Sequence, residues 1–143
     1  MIYYLFIIYI NDRKIAKIKA ITHNILICNI KKCEESKKNY PFIIIPTKVE
    51  NKTSEFNIEL TKKLFDSLDK EGLNQFCNDL NLVKYDFTKI DDKIKEEKEF
   101  WEYVHKIIDE TLIIEGKLKC PNCQREFPVI NGIPDMVLRD DEM

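Results

Sequence analysis

The chain has 143 residues and a formal net charge of −2, with 44% hydrophobic and 34% charged residues. This composition is typical of a globular domain with a buried core, and it excludes a chain that is disordered over most of its length. The near balance of charge gives no overall basic surface for nucleic acid. A partner would have to supply most of such a surface.

The N-terminal run MIYYLFIIYI is the only stretch with a membrane-like composition. About ten apolar residues are too few to span a bilayer, which takes roughly twenty. The run also lacks the preceding basic segment and the following small-residue cleavage site that a secretory signal requires. We interpret residues 1–18 as an N-terminal extension that need not be native, and we expect no membrane association.

The next region shows β-like composition at first and then helical periodicity. The apolar run PFIII is predicted to form a buried strand that ends at Pro46. Residues 51–110 are predicted to form a central helical domain, whose first helix has Asn57 as its N-cap. Three apolar stripes at helical spacing define its buried faces. They consist of Leu60, Leu64, Phe65 and Leu68; of Leu73, Phe76, Cys77 and Leu80; and of Trp101, Val104, Ile107 and Ile108.

The C-terminal region returns to a β pattern. The segments LIIEGKLK and REFPV flank CPNC as the two arms of a predicted hairpin. Asn131-Gly132 is a strong signal for a tight turn, and it is followed by the apolar segment IPDMVL. Two β-rich ends that each carry cysteines therefore enclose a helical middle, which predicts one β module assembled from both ends of the chain.

Four of the five cysteines form two close pairs, Cys28-x4-Cys33 and Cys120-x2-Cys123. The odd total argues against a closed disulfide framework. A redox dithiol would need a helix after the motif to stabilise its thiolate, and the prolines and the Asn-Gly turn that follow prevent one. Two thiolate pairs favour a single structural Zn²⁺ with closed tetrahedral coordination. The predicted fold is therefore α+β: a zinc-ribbon-like β module from residues 19–50 and 111–143, with the central helical insertion between them.

The remaining reactive side chains do not form a catalytic pattern. Cys77 lies on the apolar side of a predicted helix and is interpreted as a small buried hydrophobe. The three glycines are isolated, so no phosphate-binding glycine loop can form, and neither histidine has the neighbours of a nucleophile or general base. We therefore expect no active site. Thiols that serve as metal ligands imply a reducing compartment, so we expect the protein in the cytoplasm and nucleus.

The motifs ITHNILICNIKKC and IEGKLKCPNCQREFPVINGIPDMVL resemble the two ends of the small zinc-finger activator subunit shared by several methyltransferases. The resemblance runs from Lys19 to the C-terminus and is specific at both ends. It implies a subunit without activity of its own, in obligate heterodimers with class I S-adenosylmethionine-dependent methyltransferases. Those enzymes modify tRNA, rRNA or the glutamine of the translation release factor. The resemblance also implies that Cys28, Cys33, Cys120 and Cys123 hold the zinc ion, although some family members lack these ligands.

A contact surface for the methyltransferase is also implied by the resemblance. The residues assigned to this surface are Thr22, Asn24, Ile25, Ile133, Pro134, Met136 and Leu138. Pro134 cannot donate to a sheet ladder, so the tail belongs at a sheet edge, where a strand of the partner can pair with it. The alternative is that the tail side chains complete the module's own core.

The competing function is a free-standing zinc-ribbon module that binds nucleic acid directly. The cluster NIKKC with ESKKNY is the only local concentration of basic residues, and a solvated loop accounts for it. We therefore expect no strong binding of nucleic acid by the chain alone.

Overall fold

The structure is a computed structural model that describes residues 18–142. The predicted extension lies outside the described residues, except for its last position. Ile18 is fully buried and pairs antiparallel with Ile113, so it belongs to the core of the domain. Among residues 18–142, no helix is long and apolar enough to cross a membrane.

The described chain contains a mixed set of helices and antiparallel strands. In chain order these are α1 (Ala20–Ile25), α2 (Lys31–Ser36), β1 (Ile43–Asn51), α3 (Ile58–Ser67), α4 (Lys70–Asp79), α5 (Asp92–Lys95), α6 (Lys98–His105), β2 (Thr111–Lys119), β3 (Glu126–Ile130) and β4 (Ile133–Pro134). Short 3₁₀ turns occupy Phe87–Lys89 and Asp140–Glu142, and a π-helical turn spans Lys106–Glu110.

The four strands form one antiparallel sheet in the order β1-β2-β3-β4. β1 precedes the helical segment and β2 follows it, so the sheet is built from both ends of the chain. Ile44 pairs with Leu118, and Leu118 pairs with Phe127. These three side chains lie in one row on the buried face of the sheet. The prediction of an α+β fold with a β module from both chain ends is confirmed.

β1 does not end at Pro46, contrary to the prediction from sequence. The strand continues to Asn51, and its register against β2 shifts on both sides of Lys48. A proline is compatible with this position because β1 is an edge strand. Gly116 lies opposite Pro46, and a Cβ atom there would come within 2.4 Å of the carbonyl oxygen of Ile45. The close approach of the two backbones at this irregularity therefore depends on glycine.

The helical insertion begins and ends at neighbouring points. The amide of Lys52 donates to the carbonyl of Glu110 over 2.8 Å, directly beyond the pair Asn51 and Thr111 that ends the β1–β2 ladder. Within the insertion, aromatic rings surround Phe65. The rings of Phe87, Phe100 and Trp101 lie 5.7, 5.8 and 5.5 Å from the Phe65 ring in edge-to-face arrangements.

The first helix of the insertion begins as predicted, but its buried face differs from the prediction. The Asn57 side chain accepts a hydrogen bond from the amide of Leu60, as an N-cap does. Leu60 itself is 55% exposed, whereas Thr61 and Phe65 are buried. Leu60 was wrongly assigned to the core, because the stripe through Thr61 faces the other helices.

Two short helices, α1 and α2, occupy a region whose composition suggested strands. α1 is fastened to α4 by Asn24, whose side chain forms a reciprocal pair of 2.9 Å hydrogen bonds with the backbone N–H and C=O of Asp69. The Asp69 carboxylate in turn accepts from the Gly72 amide at 2.8 Å and from the Tyr40 hydroxyl at 3.2 Å. This junction joins the β module to the insertion.

Gly72 leaves no room for a side chain at this junction. A Cβ atom would lie 2.1 Å from Tyr40 Oη and 2.8 Å from Asn24 Nδ2. Alanine normally stabilises a helix relative to glycine by about 0.5–1 kcal/mol. We expect the opposite for Gly72→Ala, a loss of about 1–3 kcal/mol in the free energy of unfolding measured with urea, because the Tyr40 and Asn24 contacts must shift.

The double variant Gly72→Ala/Tyr40→Phe tests the cause of this loss. Removing the hydroxyl eliminates the atom nearest to the added methyl group. The double variant should therefore be more stable than the sum of the two single effects predicts. Strictly additive effects would contradict the steric explanation.

Candidate metal centre

Four cysteines from distant parts of the chain meet at one end of the sheet. Cys28 follows α1, Cys33 lies within α2, Cys120 follows β2 and Cys123 lies in the turn before β3. Their sulfur atoms all lie within 4.8 Å of one another. Two contacts join the first pair to the second: the Cys28 sulfur lies 3.9 Å from the Cys123 sulfur, and the Cys33 sulfur lies 3.8 Å from the Cys120 sulfur. The four thiols are positioned to bind a metal ion.

The turn that carries the second pair directs hydrogen-bond donors at the sulfur atoms. The amides of Asn122 and Cys123 donate to the Cys120 sulfur at 3.4 and 3.5 Å. The Asn122 side chain donates to the Cys33 sulfur at 3.3 Å and so bridges the two pairs. Backbone donors of this kind follow from a tight turn between strands. The Asn122 side-chain contact was not predicted, although its position inside CPNC is the signal that could have suggested it.

The first pair is held by the loop that encloses it. The amide of Cys28 donates to the carbonyl of Asn39, and the Asn39 side chain donates back to the Cys28 carbonyl at 2.9 Å. The amide of Cys33 donates to the Ile30 carbonyl at 2.9 Å, at the start of α2. Lys37 then ends the helix in a left-handed conformation with φ of 58°. These contacts fix the spacing of the two sulfur atoms.

Burial makes the Cys28 and Cys123 thiols harder to ionise. Desolvation raises the pKa of Cys28 well above its ordinary value and also raises the pKa of Cys123. At Cys33 desolvation acts in the same direction, but hydrogen bonds from Asn122 and the neighbouring cysteines outweigh it, and the pKa of Cys33 is lowered. A bound divalent cation would supply the charge that four adjacent thiolates need.

The remaining cysteine and both histidines lie apart from this cluster. Cys77 is buried in the helical insertion. His23 is also fully buried, with Nε2 at 2.8 Å from the Phe42 carbonyl oxygen. His105 lies in α6, where Nε2 is 3.1 Å from the Ser54 hydroxyl.

The predicted partner residues near the start of the chain differ in their exposure. Ile25 is 41% exposed, and Thr22 is partly exposed. Asn24 is 8% exposed and bound to Asp69, so its side chain holds the domain together instead of facing outward. Ile27 was not predicted but is 37% exposed on the same segment.

The predicted partner residues in the tail alternate between two faces. Pro134 and Met136 are buried, and Leu138 packs partly against the core, as the alternative interpretation of the tail requires. Ile133 is 38% exposed and Val137 is 71% exposed. Pro134 and Met136 were assigned to the contact surface, but in this chain their side chains face the module's own core, because alternation along the extended tail turns them inward.

An apolar surface on the outer face of the sheet continues from Ile133. Ile130 is 62% exposed and pairs directly with Ile133 across the Asn131-Gly132 turn. Ile45 and Pro128 lie beside it around an open groove of about 600 Å³. We call Ile45, Pro128, Ile130, Ile133 and Val137 the outer apolar face. Only Ile133 was predicted, although the period-2 pattern of the tail could have identified Val137.

Curated relatives align with nearly their full length. A multifunctional methyltransferase subunit TRM112 homolog of Arabidopsis thaliana is 30% identical over 126 residues, which cover 87% of this chain and 99% of the relative. The TRM112-like protein of Mus musculus is 28% identical over 124 residues, which cover 87% and 97%. The TRM112 subunit of Saccharomyces cerevisiae is 28% identical over 129 residues, which cover 84% and 96%.

Among solved structures, the fold is similar to a chain in the E. cuniculi Mtq2–Trm112 complex, which is described as responsible for methylation of the eRF1 translation termination factor. The TM-score is 0.51 at 20% identity, and the alignment covers 84% of this chain and 95% of that chain. A profile of the Trm112p-like protein family matches residues 19–132, which include all four clustered cysteines. The chain belongs to the Trm112p-like protein family.

Proposed function

We propose that this chain is a non-catalytic subunit that activates and stabilises class I S-adenosylmethionine-dependent methyltransferases acting on tRNA, rRNA and the translation release factor. The observation that carries the proposal is the outer apolar face beside an edge strand, in a family whose members are named methyltransferase subunits. The Mtq2–Trm112 complex provides a precedent for such a pairing in a protein of the same fold.

The clustered side chains support a structural role and not a catalytic one. Four cysteine sulfurs complete a tetrahedral coordination sphere, which leaves no open position for a substrate or an activated water. Both histidines are engaged with groups of the fold. A subunit of this kind can act only by binding to a catalytic partner.

We assign the metal as one structural Zn²⁺ held by Cys28, Cys33, Cys120 and Cys123. A tetrahedron with Zn–S distances of about 2.3 Å has sulfur–sulfur edges of about 3.8 Å. The Cys28–Cys123 and Cys33–Cys120 contacts of 3.9 and 3.8 Å agree with this value, and no sulfur–sulfur distance in the cluster exceeds 4.8 Å. Soft thiolate ligands favour zinc over hard cations such as Mg²⁺ and Ca²⁺. Such ligands also favour a reducing location, and we place the protein in the cytoplasm and nucleus.

The partner surface that we propose combines a backbone edge with side-chain anchors. β4 is the last strand of the sheet, and no strand within residues 18–142 pairs with its outer edge. A strand of a partner protein can pair there. Met136 and Pro134 fasten the tail to the module, while Ile133 and Val137 face outward from the same segment. This arrangement suits β-augmentation, in which main-chain hydrogen bonds give affinity and alternate side chains give specificity.

Metal analysis tests the zinc assignment. We expect one equivalent of zinc in purified protein, and we expect a strong chelator to lower the melting temperature by roughly 10 °C or more, because the metal fastens both chain ends. Cys123→Ala should lose the zinc. Cys77→Ala is the matched control and should keep it, since Cys77 lies outside the cluster. Protein without zinc, or with melting unaffected by chelation, would refute the assignment.

Co-expression with a methyltransferase of the same organism tests the partner surface. Ile130→Asp and Ile133→Asp should abolish co-purification and leave both zinc content and melting temperature close to wild type, because these side chains are exposed. Met136→Lys should instead lower the stability of the chain itself, since Met136 is 6% exposed.

The controls for this experiment are Leu60→Asp and Val83→Asp. These residues are 55% and 61% exposed in the helical insertion, away from the sheet. They introduce the same charge at apolar positions whose exposure is close to that of Ile130 and greater than that of Ile133. Co-purification that survives Ile130→Asp and Ile133→Asp, or that is lost equally in the controls, would show that the outer apolar face is not the interface.

A further inference from the structure

A cavity of about 660 Å³ lies beside the metal centre and has no place in the proposed function. One wall is the start of α2, and the other consists of the residues after Cys123 and the C-terminal 3₁₀ turn. Its lining is strongly charged. The cations are Lys31, Lys32, Arg125 and Arg139, and the acids are Glu35, Asp141 and Glu142.

The Glu142 carboxylate lies in the cationic part of this cavity, and both of its oxygens accept hydrogen bonds. Arg125 donates to both of its oxygens, from Nε at 2.9 Å and from Nη2 at 3.2 Å. Arg139 adds its backbone amide at 2.8 Å and Nη2 at 3.2 Å. Glu142 is only 9% exposed, and a glutamate is rarely buried to this degree unless its charge is paired. The cavity therefore contains an oxyanion site that is filled by the chain's own carboxylate.

Arg125 is held in place independently of Glu142. Its Nη1 donates to the carbonyl of Glu126 at 2.7 Å, and its Nη2 donates to the carbonyl of Val137 at 3.2 Å. The guanidinium also lies 4.5 Å above the ring of Phe127, which is fully buried. The arginine fork is therefore preorganised for an anion even when the glutamate is absent.

The 3₁₀ turn that carries Glu142 is attached to the rest of the domain at one point. Among the described residues, the 3₁₀ turn Asp140–Glu142 forms hydrogen bonds only through Glu142. The partners of Glu142 are Arg139, which lies next to the turn, and Arg125, which is the only partner outside the C-terminal segment. A competing anion would have to replace this one ion pair. The turn can therefore be displaced without disturbing the sheet or the metal centre.

Displacement of the turn would remove two acids from the lining and free the cations for another anion. Lys31 and Lys32 are exposed, and neither forms a salt bridge within residues 18–142. With Asp141 and Glu142 gone, the two lysines and Arg125 would face Glu35 and the negative charge of the thiolate centre, whose Cys123 also lines the cavity. A bidentate arginine with two neighbouring lysines is a set of donors that suits phosphate groups.

We propose that this cavity binds the sugar–phosphate backbone of nucleic acid and that Glu142 masks it in the free chain. Three cations spread around an open cavity match the repeating charge of a polyanion better than a single carboxylate. With the mask in place, we expect the wild-type chain to bind nucleic acid weakly. The cavity adjoins the outer apolar face at Val137, whose carbonyl accepts from Arg125, but its lining residues are different from those of that face.

The test measures binding of a fluorescein-labelled single-stranded RNA of 20 nucleotides to the full chain by fluorescence anisotropy at several salt concentrations. Glu142→Gln should bind about tenfold more tightly than wild type, because the amide no longer competes for the Arg125 fork. A chain truncated after Leu138 should show the same gain. Circular dichroism and melting temperature verify that each variant is folded.

The lysines are tested in the Glu142→Gln background. Lys31→Ala/Lys32→Ala should reduce the steepness of log K against log salt by about 1.4, since each phosphate contact on a single strand contributes about 0.7. The matched control is Lys93→Ala/Lys95→Ala, which removes two exposed lysines from α5 in the helical insertion. The control should leave the salt dependence unchanged.

Three results would overturn the proposal. In the first, neither Glu142→Gln nor the truncated chain binds RNA more tightly than wild type. In the second, the two lysine pairs have equal effects, which would mean that binding is diffuse. In the third, a polyglutamate peptide displaces the RNA at equal charge concentration, which would assign the cavity to an acidic protein segment.

Discussion

The contact among four thiols at one end of the sheet is the constraint on which the rest of the domain depends. Cys33 and Cys120 are 87 positions apart, so a chain that joins them must close a long loop. The β1–β2 ladder closes nearly the same loop, because Ile43 pairs with Lys119, the residue before Cys120. The entropic cost of closing this loop is therefore common to the ladder and the cluster. Sheet and cluster therefore form together, and each lowers the entropic cost of the other. A metal bound to the thiols would stabilise both at once.

Local patterns in the sequence were sufficient for the main features of the fold and of the metal centre. The spacing of the cysteines, the Asn57 cap and the Asn131-Gly132 turn each act over a few residues, and the structure contains all of them. Features that depend on distant packing were not predictable in this way. Periodicity divides each segment into two faces, but the surrounding elements determine which face is covered, and so Leu60 is exposed and Met136 is buried. The continuation of β1 past Pro46 likewise depends on its pairing with β2.

The tail shows how one short segment can serve two requirements. Alternation along an extended chain sends Pro134 and Met136 inward, where they hold the segment, and leaves Ile133 and Val137 outside. A bare apolar edge is an aggregation hazard, and the two-residue length of β4 limits this hazard in the free chain. The inward side chains thus keep the outward ones in a fixed arrangement before any partner arrives. Preorganisation of this kind reduces the entropy lost on association.

The adjacency of Lys52 and Glu110 has a consequence for how this architecture can vary. Because the insertion leaves and re-enters the sheet at one hydrogen-bonded point, its size places no geometric demand on the strands. A tight hairpin turn between Asn51 and Thr111 would satisfy the same ladder. The insertion is held against the module by the Asn24–Asp69 pair, by the Asp79 carboxylate that accepts from the Ile44 amide, and by a shared hydrophobic core. The helical part can therefore diverge in length and sequence, while the module that carries the cysteines and the outer apolar face keeps its form.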